Sequence, residues 1–359
     1  MKLIVTIQHP AHVHFYRHAI DELETDGHEV HVFARENDLA VPLLERYDVP
    51  HEVLAGPQDS LFGLARVQAT YELKLLRRAL SIRPDVMTAI GGVAVSHVAS
   101  LVGAQSVIFV DNEGATSHKI TIPFADVVCT PKRFGDDYGA KQLRYDGFHE
   151  LAYLHPDRFD PSPERLRRYG VEPDDPYFVL RFRKWDALHD VGENGLSRQG
   201  KETLVSLLAD HGEVFITSTD PLPPSLEPYR LPVPPHLIHD LLYYADLYAG
   251  DSATMATEAA LLATPAVRIQ SFAAWEDDLS NFVELEEEYD LLRSTHDEVE
   301  AFGYVEALVS DEKASERWRR RRDRLLADKL DVTTLLTELL TAQAGESRRT
   351  RPRATQVSR

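Results

Sequence analysis

The stretch GDSATMATEAALLATP, residues 250–265, decides how this chain is read. It follows the apolar run Tyr243–Ala249, passes into an alanine-rich helical pattern, and gives way to the strand-like PAVRI. Strand, helix and strand in so short a span build parallel sheets. The helix opens on Gly-Asp-Ser-Ala-Thr, and those residues suit either of two uses. Asp251 or Ser252 can cap the helix. Alternatively, Ser252, Ala253 and Thr254 leave the backbone bare enough for a phosphate to meet the first-turn amides. Glu258, about one and a half turns further in, then accepts hydrogen bonds from ribose hydroxyls, or simply favours the helix dipole.

The same alternation runs outward in both directions. LIVTI is a strand pattern, residues 12–25 carry Val13, Tyr16, Ile20 and Leu23 at helical spacing, and Gly27 closes that helix. EVHVFA, PDVMTAI, SVIFV and ADVVCT follow as strands, with helical segments at 60–82 and 93–102. The rhythm breaks at YLHPDRFDPSPERLRRYGVEPDDPY, which contains Pro156, Pro161, Pro163 and Pro173. It then resumes with YFVLRF, a helix over 197–210, EVFITS, a helix over 237–244 and ADLYAG. The expected fold is α/β, with two Rossmann-like parallel-sheet domains facing each other across a cleft. They span 1–155 and 176–342 and are joined by a hinge at 156–175. Helical patterns run from 295 to 342, and 343–359 reads as a disordered tail. Ligands of such sheets bind at the carboxyl ends of strands.

Composition narrows the possibilities. Apolar residues make up 43% of the 359-residue chain, which suits a soluble globular protein, and there is no run of 18 uncharged apolar residues to cross a membrane. MKLIVTI has none of the parts of a signal peptide, so the chain reads as cytoplasmic. Cys129 is the only cysteine and falls in an apolar strand pattern, where it reads as a core thiol. The net charge is −19, and only nine of the 39 basic residues are lysine. Dispersed acid with scarce lysine suits the concentrated salt of halophilic archaea and argues against a nucleic-acid partner. Six arginines at Arg317–Arg324 read either as a peripheral contact with anionic lipid at the inner face of the membrane or as a solvated helix face.

Several constellations fall at expected strand ends. QHPAHVHFYRH, residues 8–18, places four of the 16 histidines after the first strand. His14 and His18 are one helical turn apart but lack the glutamate of a zincin helix, so no metal is assigned. His12 reads either as a base toward an acceptor hydroxyl or as a capping or packing residue. The turn has no Gly-x-Gly-x-x-Gly, and Arg35 ends the second strand, which excludes a nicotinamide or flavin site and leaves no cofactor. A P-loop is absent as well. VDNEGATSHK, residues 110–119, offers Glu113 as acid, base or sugar contact, with Asp111, Asn112 and His118 beside it, or a cap made by Asp111 or Asn112. Gly91 and Gly92 allow a ligand to approach the backbone. Arg181 and Arg183 lie at the tip of YFVLRF, where a diphosphate would accept their hydrogen bonds. Ser218 and Thr219 stand at the next strand end.

GDSATMATEAALLATPAV resembles the nucleotide-diphosphate motif of the GT-B sugar enzymes. It is similar to the Asp-Ser-Gly-Gly-x-Gln-Glu-Glu-Ala segment of non-hydrolysing UDP-N-acetylglucosamine 2-epimerases, and to the matching segment of the peptidoglycan UDP-N-acetylglucosamine transferase. Together with HPAHVHFYRHAIDELETDGHEVHVFAR, DNEGATSHK, FHELAYLHPDRF and RFRKWDALHDVG, it resembles an archaeal family of unknown function in the GT-B group. The resemblance implies that Ser252, Ala253 and Thr254 meet a diphosphate and Glu258 a ribose. His12 falls at the histidine of the transferase's Gly-His-Val, and Glu113 at the second acid of the epimerases. Gly91-Gly92-Val93 replaces the epimerases' first acidic motif, and their following Pro-Glu-Glu and His-Arg-Arg-Glu segments are not found. A glycosyltransferase needs fewer of these groups. The expectation is therefore a UDP-sugar-dependent glycosyltransferase of archaeal surface-glycan synthesis, with a glycan or lipid-linked acceptor. The alternatives are an epimerase-like enzyme and a non-catalytic sugar-nucleotide binder.

Overall fold

The computed structural model describes residues 1–37, 39–56, 61–182, 196–218, 221–270 and 278–350, without the side chains of 61–66 and 346–350. It divides into two compact units. The first comprises residues 1–153 with the chain from 330 onward, and the second Leu154–Lys329.

The first unit is built on seven parallel strands: β1 (Lys2–Ile7), β2 (Glu29–Arg35), β3 (His51–Ala55), β4 (Val86–Ile90), β5 (Gln105–Phe109), β6 (Val127–Pro131) and β7 (Gln142–Tyr145). Their order is β3-β2-β1-β4-β5-β6-β7. The second unit has β8 (Tyr177–Phe182), β9 (Glu213–Ser218), β10 (Leu247–Gly250), β11 (Ala266–Ile269) and β12 (Leu292–Thr295), in the order β12-β11-β10-β8-β9. All pairings are parallel. Both sheets are Rossmann-like, as the sequence predicts. Central strands are apolar on both faces because helices cover both: Leu3, Ile4, Val5 and Ile7 of β1 are buried, and so are Phe178, Val179 and Leu180 of β8. Cys129 of β6 is fully buried and its thiol pKa is pushed up by burial, so it is a core thiol.

Each sheet reverses its order once. From β1 the chain lays β2 and β3 to one side and then returns to place β4 on the other, paired through Leu3–Val86, Ile4–Met87 and Val5–Thr88. In the second sheet the reversal falls between β8 and β10. Connections leaving the two strands diverge there, which opens a crevice at their carboxyl ends.

Three expectations need correction. Residues 330–342 do not join the second unit. The helix Val332–Thr350 packs on the helix Pro10–Thr25 and on β4 and β5, burying Val332, Leu336 and Leu340. Its start is fixed where Leu330 N donates to Asp146 O (3.0 Å) and Thr333 Oγ1 to Ala152 O (2.7 Å). The same helix takes up 343–350 of the expected tail, whose residues 351–359 lie outside the described residues. The expected hinge at 156–175 is docked on the second unit: Ser162 N and the Arg165 guanidinium both bond to buried Asp240, at 2.9 and 2.7 Å. Arginines of the 317–324 run lie on the helix Ala314–Asp328, where Arg317 pairs with Asp311, Arg320 with Glu316 and Arg321 with Asp290. That pairing favours the solvated face over the lipid contact.

Because Leu336 is fully buried in the first unit, Leu336→Ala is expected to cost about 2–5 kcal/mol. Urea unfolding followed by circular dichroism measures this, and an unchanged midpoint would contradict the packing.

Candidate functional site

At the reversal of the first sheet, the helix Pro10–Thr25 is capped by His9, whose Nδ1 accepts from Ala11 N at 3.2 Å. His12 is therefore not the cap. It is half-buried, and its Nδ1 accepts from Gln8 N at 3.4 Å. Burial, aided by nearby His9, lowers its pKa to about 3, although Asp111 pulls the other way. The ring is neutral at ordinary pH, and with Nδ1 accepting, its hydrogen lies on Nε2. The sequence leaves His12 as a base or as a capping or packing residue; in this state its Nδ1 is engaged and its Nε2 is a donor. His14 is no cleft group either: it is buried against the rings of Tyr47 and Tyr153, at 5.7 and 5.3 Å between centroids.

Asp111 follows β5 and meets His149, with Nδ1 to Oδ2 at 3.0 Å. The Asp111 side chain is 39% exposed and that of His149 only 6%. Burial pushes the Asp111 carboxyl up, but His149, by charge and hydrogen bond, and then His12 outweigh it and hold the group below its usual value. The His149 ring lies parallel to Tyr145 at 6.3 Å and against Phe15 at 5.0 Å. Among the described residues, His149 Nε2 and Tyr145 Oη are buried without a hydrogen-bond partner. Sequence reasoning missed both residues because they come from and follow the short edge strand β7.

Glu113 is not part of this group. Its Oε1 accepts from Gly135 N at 3.3 Å, Gly114 N donates to Asp136 at 3.2 Å, and the charges acting on His12 are His9, Asp111 and His149. Glu113 instead lies near His118 and Tyr138, while Asn112 is exposed. Gly92 is bare for packing, not for a ligand. It has φ +47°, and a Cβ would come within 2.5 Å of Ile108 Cδ1, whereas Gly91 faces open space.

At the reversal of the second sheet, Arg181 of β8 donates to Thr217 Oγ1 of β9 at 3.1 Å. Gly250 of β10 lies so close to β8 that a Cβ would be 2.4 Å from Arg181 O. Asp251 N donates to that same carbonyl at 3.1 Å. Ser252 caps the helix Ala253–Leu261, accepting from Met255 N, and Ala253 and Thr254 are half-buried in its first turn. The turn is braced from behind: Gln270 donates to Asp251 O at 2.6 Å, and buried Arg268, paired with Asp278, reaches Gln270. Ser218 is half-buried at the end of β9. Arg183 and Thr219 lie outside the described residues.

Glu258 lies inside the second unit's helix Ala253–Leu261. It is 4% exposed, and its Oε1 meets Nε2 of buried His239 at 3.0 Å. His239, on the helix Ile238–Tyr244, carries no local pattern that marks it as a partner.

Residues 1–168 match the model of a family described as a protein of unknown function, DUF354. Uncharacterized protein MJ0665 of Methanocaldococcus jannaschii is 23% identical over 322 residues, covering 84% of this chain and 90% of that protein. A Listeria monocytogenes protein provisionally assigned as a UDP-N-acetylglucosamine 2-epimerase has a similar structure, with TM-score 0.68 and 13% identity over 98% of this chain and 97% of that one. Acinetobacter baumannii MurG follows at 0.59 and 15%, over 95% and 99% of the two chains. The spinosyn rhamnosyltransferase SpnG complexed with thymidine diphosphate gives 0.59 and 14%, over 94% and 99%. The chain has the GT-B fold.

The depressed His12 pKa has a consequence for stability. Below about 6.5 the unfolded chain takes up a proton that the folded His12 refuses down to about 3, so stability falls as pH drops through that window. Urea titrations from pH 7 to pH 5 are expected to show a shallower fall for His12→Asn than for wild type. Identical slopes would contradict the buried, neutral ring.

Proposed function

We propose that the chain is a glycosyltransferase that takes a nucleoside-diphosphate sugar, a UDP-sugar first among them, and binds the diphosphate at the opening of the helix Ala253–Leu261. The observation that carries this reading is the braced, small-residue turn at Asp251–Thr254 beside Arg181. First-turn amides and a guanidinium meet a diphosphate with charge-assisted bonds. When the anomeric C–O bond breaks, the departing diphosphate gains charge that the same groups compensate. In the first unit, Asp111, which His149 orients, is a carboxylate that can accept a hydrogen bond from a hydroxyl. His12 adds a donor nearby. The relatedness of the fold to MurG and SpnG supports a sugar-nucleotide chemistry, and the dispersed acid fits a salt-rich cell.

An epimerase is the second reading, favoured by the likeness to the Listeria protein. It is weakened at the end of β4, where only Gly91 and Gly92 stand. Solvent deuterium appearing at C2 of the sugar would select it.

Titration calorimetry with UDP, dTDP and GDP tests the diphosphate site. Ala253→Asp puts an acid in the first turn, where it favours the helix dipole but repels a diphosphate. Ala253→Asp and Arg181→Ala are each expected to weaken UDP by about tenfold or more, with no loss of melting temperature in the former. Absence of binding by all three nucleotides, or UDP affinity unchanged in both variants, would defeat the proposal.

A further inference from the structure

The first unit holds a cavity of about 530 Å3 lined by His118, Lys119, Asp136, Tyr138 and Lys141 together with Ile122 and Pro123. Its hydrogen bonds fix the state of each group. Asp136 Oδ2 accepts from Gly114 N at 3.2 Å and from the Tyr138 hydroxyl at 3.0 Å. Tyr138 has then given its one hydrogen away, so its contact with His118 Nδ1, at 2.8 Å, has the imidazole donating. The His118 lone pair is therefore on Nε2. Burial keeps this ring uncharged, lowering its pKa against the upward pull of Asp136, Asp111 and Glu113.

The charges are distributed to match. The Asp136 carboxylate is engaged by two donors of the protein itself. Lys141 Nζ is pinned at the wall by Pro123 O at 2.9 Å and Ile122 O at 3.3 Å, and Lys119 is exposed at the mouth. A chain of net charge −19 with nine lysines thus turns two of them to one cavity. Two ammonium groups call for an anion, and a neutral imidazole held with its lone pair available calls for a hydroxyl donor.

We propose that this cavity binds a small phosphate monoester bearing a free hydroxyl, the phosphate taken by Lys119 and Lys141 and the hydroxyl donating to His118 Nε2. Asp136 and Tyr138 are positioning residues that hold the imidazole in the required tautomer. The site belongs to the first unit and does not rest on the diphosphate site of the second, so either can fail alone.

Titration calorimetry on the full chain, at fixed ionic strength, compares glycerol 3-phosphate with n-propyl phosphate, which has the same charge but no hydroxyl. Wild type is expected to bind the former about tenfold tighter. Lys119→Gln, at an exposed position that leaves the fold intact by circular dichroism, weakens both esters by about tenfold. His118→Phe keeps the affinity for n-propyl phosphate and removes the preference. No heat with either ester, equal binding of both by wild type, or affinities indifferent to Lys119→Gln would overturn the proposal.

Discussion

Both sheets depend on one topological constraint. Parallel strands need right-handed crossovers, so a sheet that grows first to one side of its founding strand and then to the other sends its covering helices to opposite faces. At β1/β4 and at β8/β10 the outgoing connections separate, and the carboxyl ends of those strands are left without cover. Polar groups that a closed sheet could not carry collect there: His9 and His12 beside Asp111 in one unit, and Arg181, Asp251 and Ser252 in the other. At β8/β10 the paired strands also come close, since Gly250 approaches the Arg181 carbonyl where a side chain would collide.

The two crevices are supported by polar pairs. Arg268, fully buried, is held by Asp278, lies over the Phe282 ring at 3.6 Å and passes its order to the Asp251 carbonyl through Gln270. Glu258 of the helix Ala253–Leu261 and His239 form a second buried pair, and in the other unit buried His149 holds the part-exposed Asp111. Desolvation offsets much of the attraction in such pairs, so their stabilising effect is small. Their use is geometric: the Arg268 pair braces a backbone turn through Gln270, and His149 holds an acid that follows a strand.

Much of this architecture was legible in the sequence because central strands and amphipathic helices write their burial into apolar periodicity. β1, β4, β5, β8 and the helix after β10 all fall where the pattern puts them. The edge strands β3, β7 and β12 were not legible: they are short, and HEVLA, QLRY and LRST mix polar with apolar residues. Periodicity also states that a face is buried without stating against what. Val332, Leu336 and Leu340 mark a helix plainly, yet nothing local tells that it covers the first sheet. The same holds at the sites. Glu258 carries every mark of a ligand contact until His239, 19 residues earlier, is seen beside it. Asp111 was placed at a strand end correctly, but its partner lies beyond two further strands.

The return of the last helix to β4 and β5 fixes an order of events in synthesis. The second unit is continuous in sequence and is complete once residue 329 has left the ribosome. The first also needs the helix Val332–Thr350, so its β4 and β5 lack that cover until this helix emerges. The unit that comes first in the chain is thus finished last.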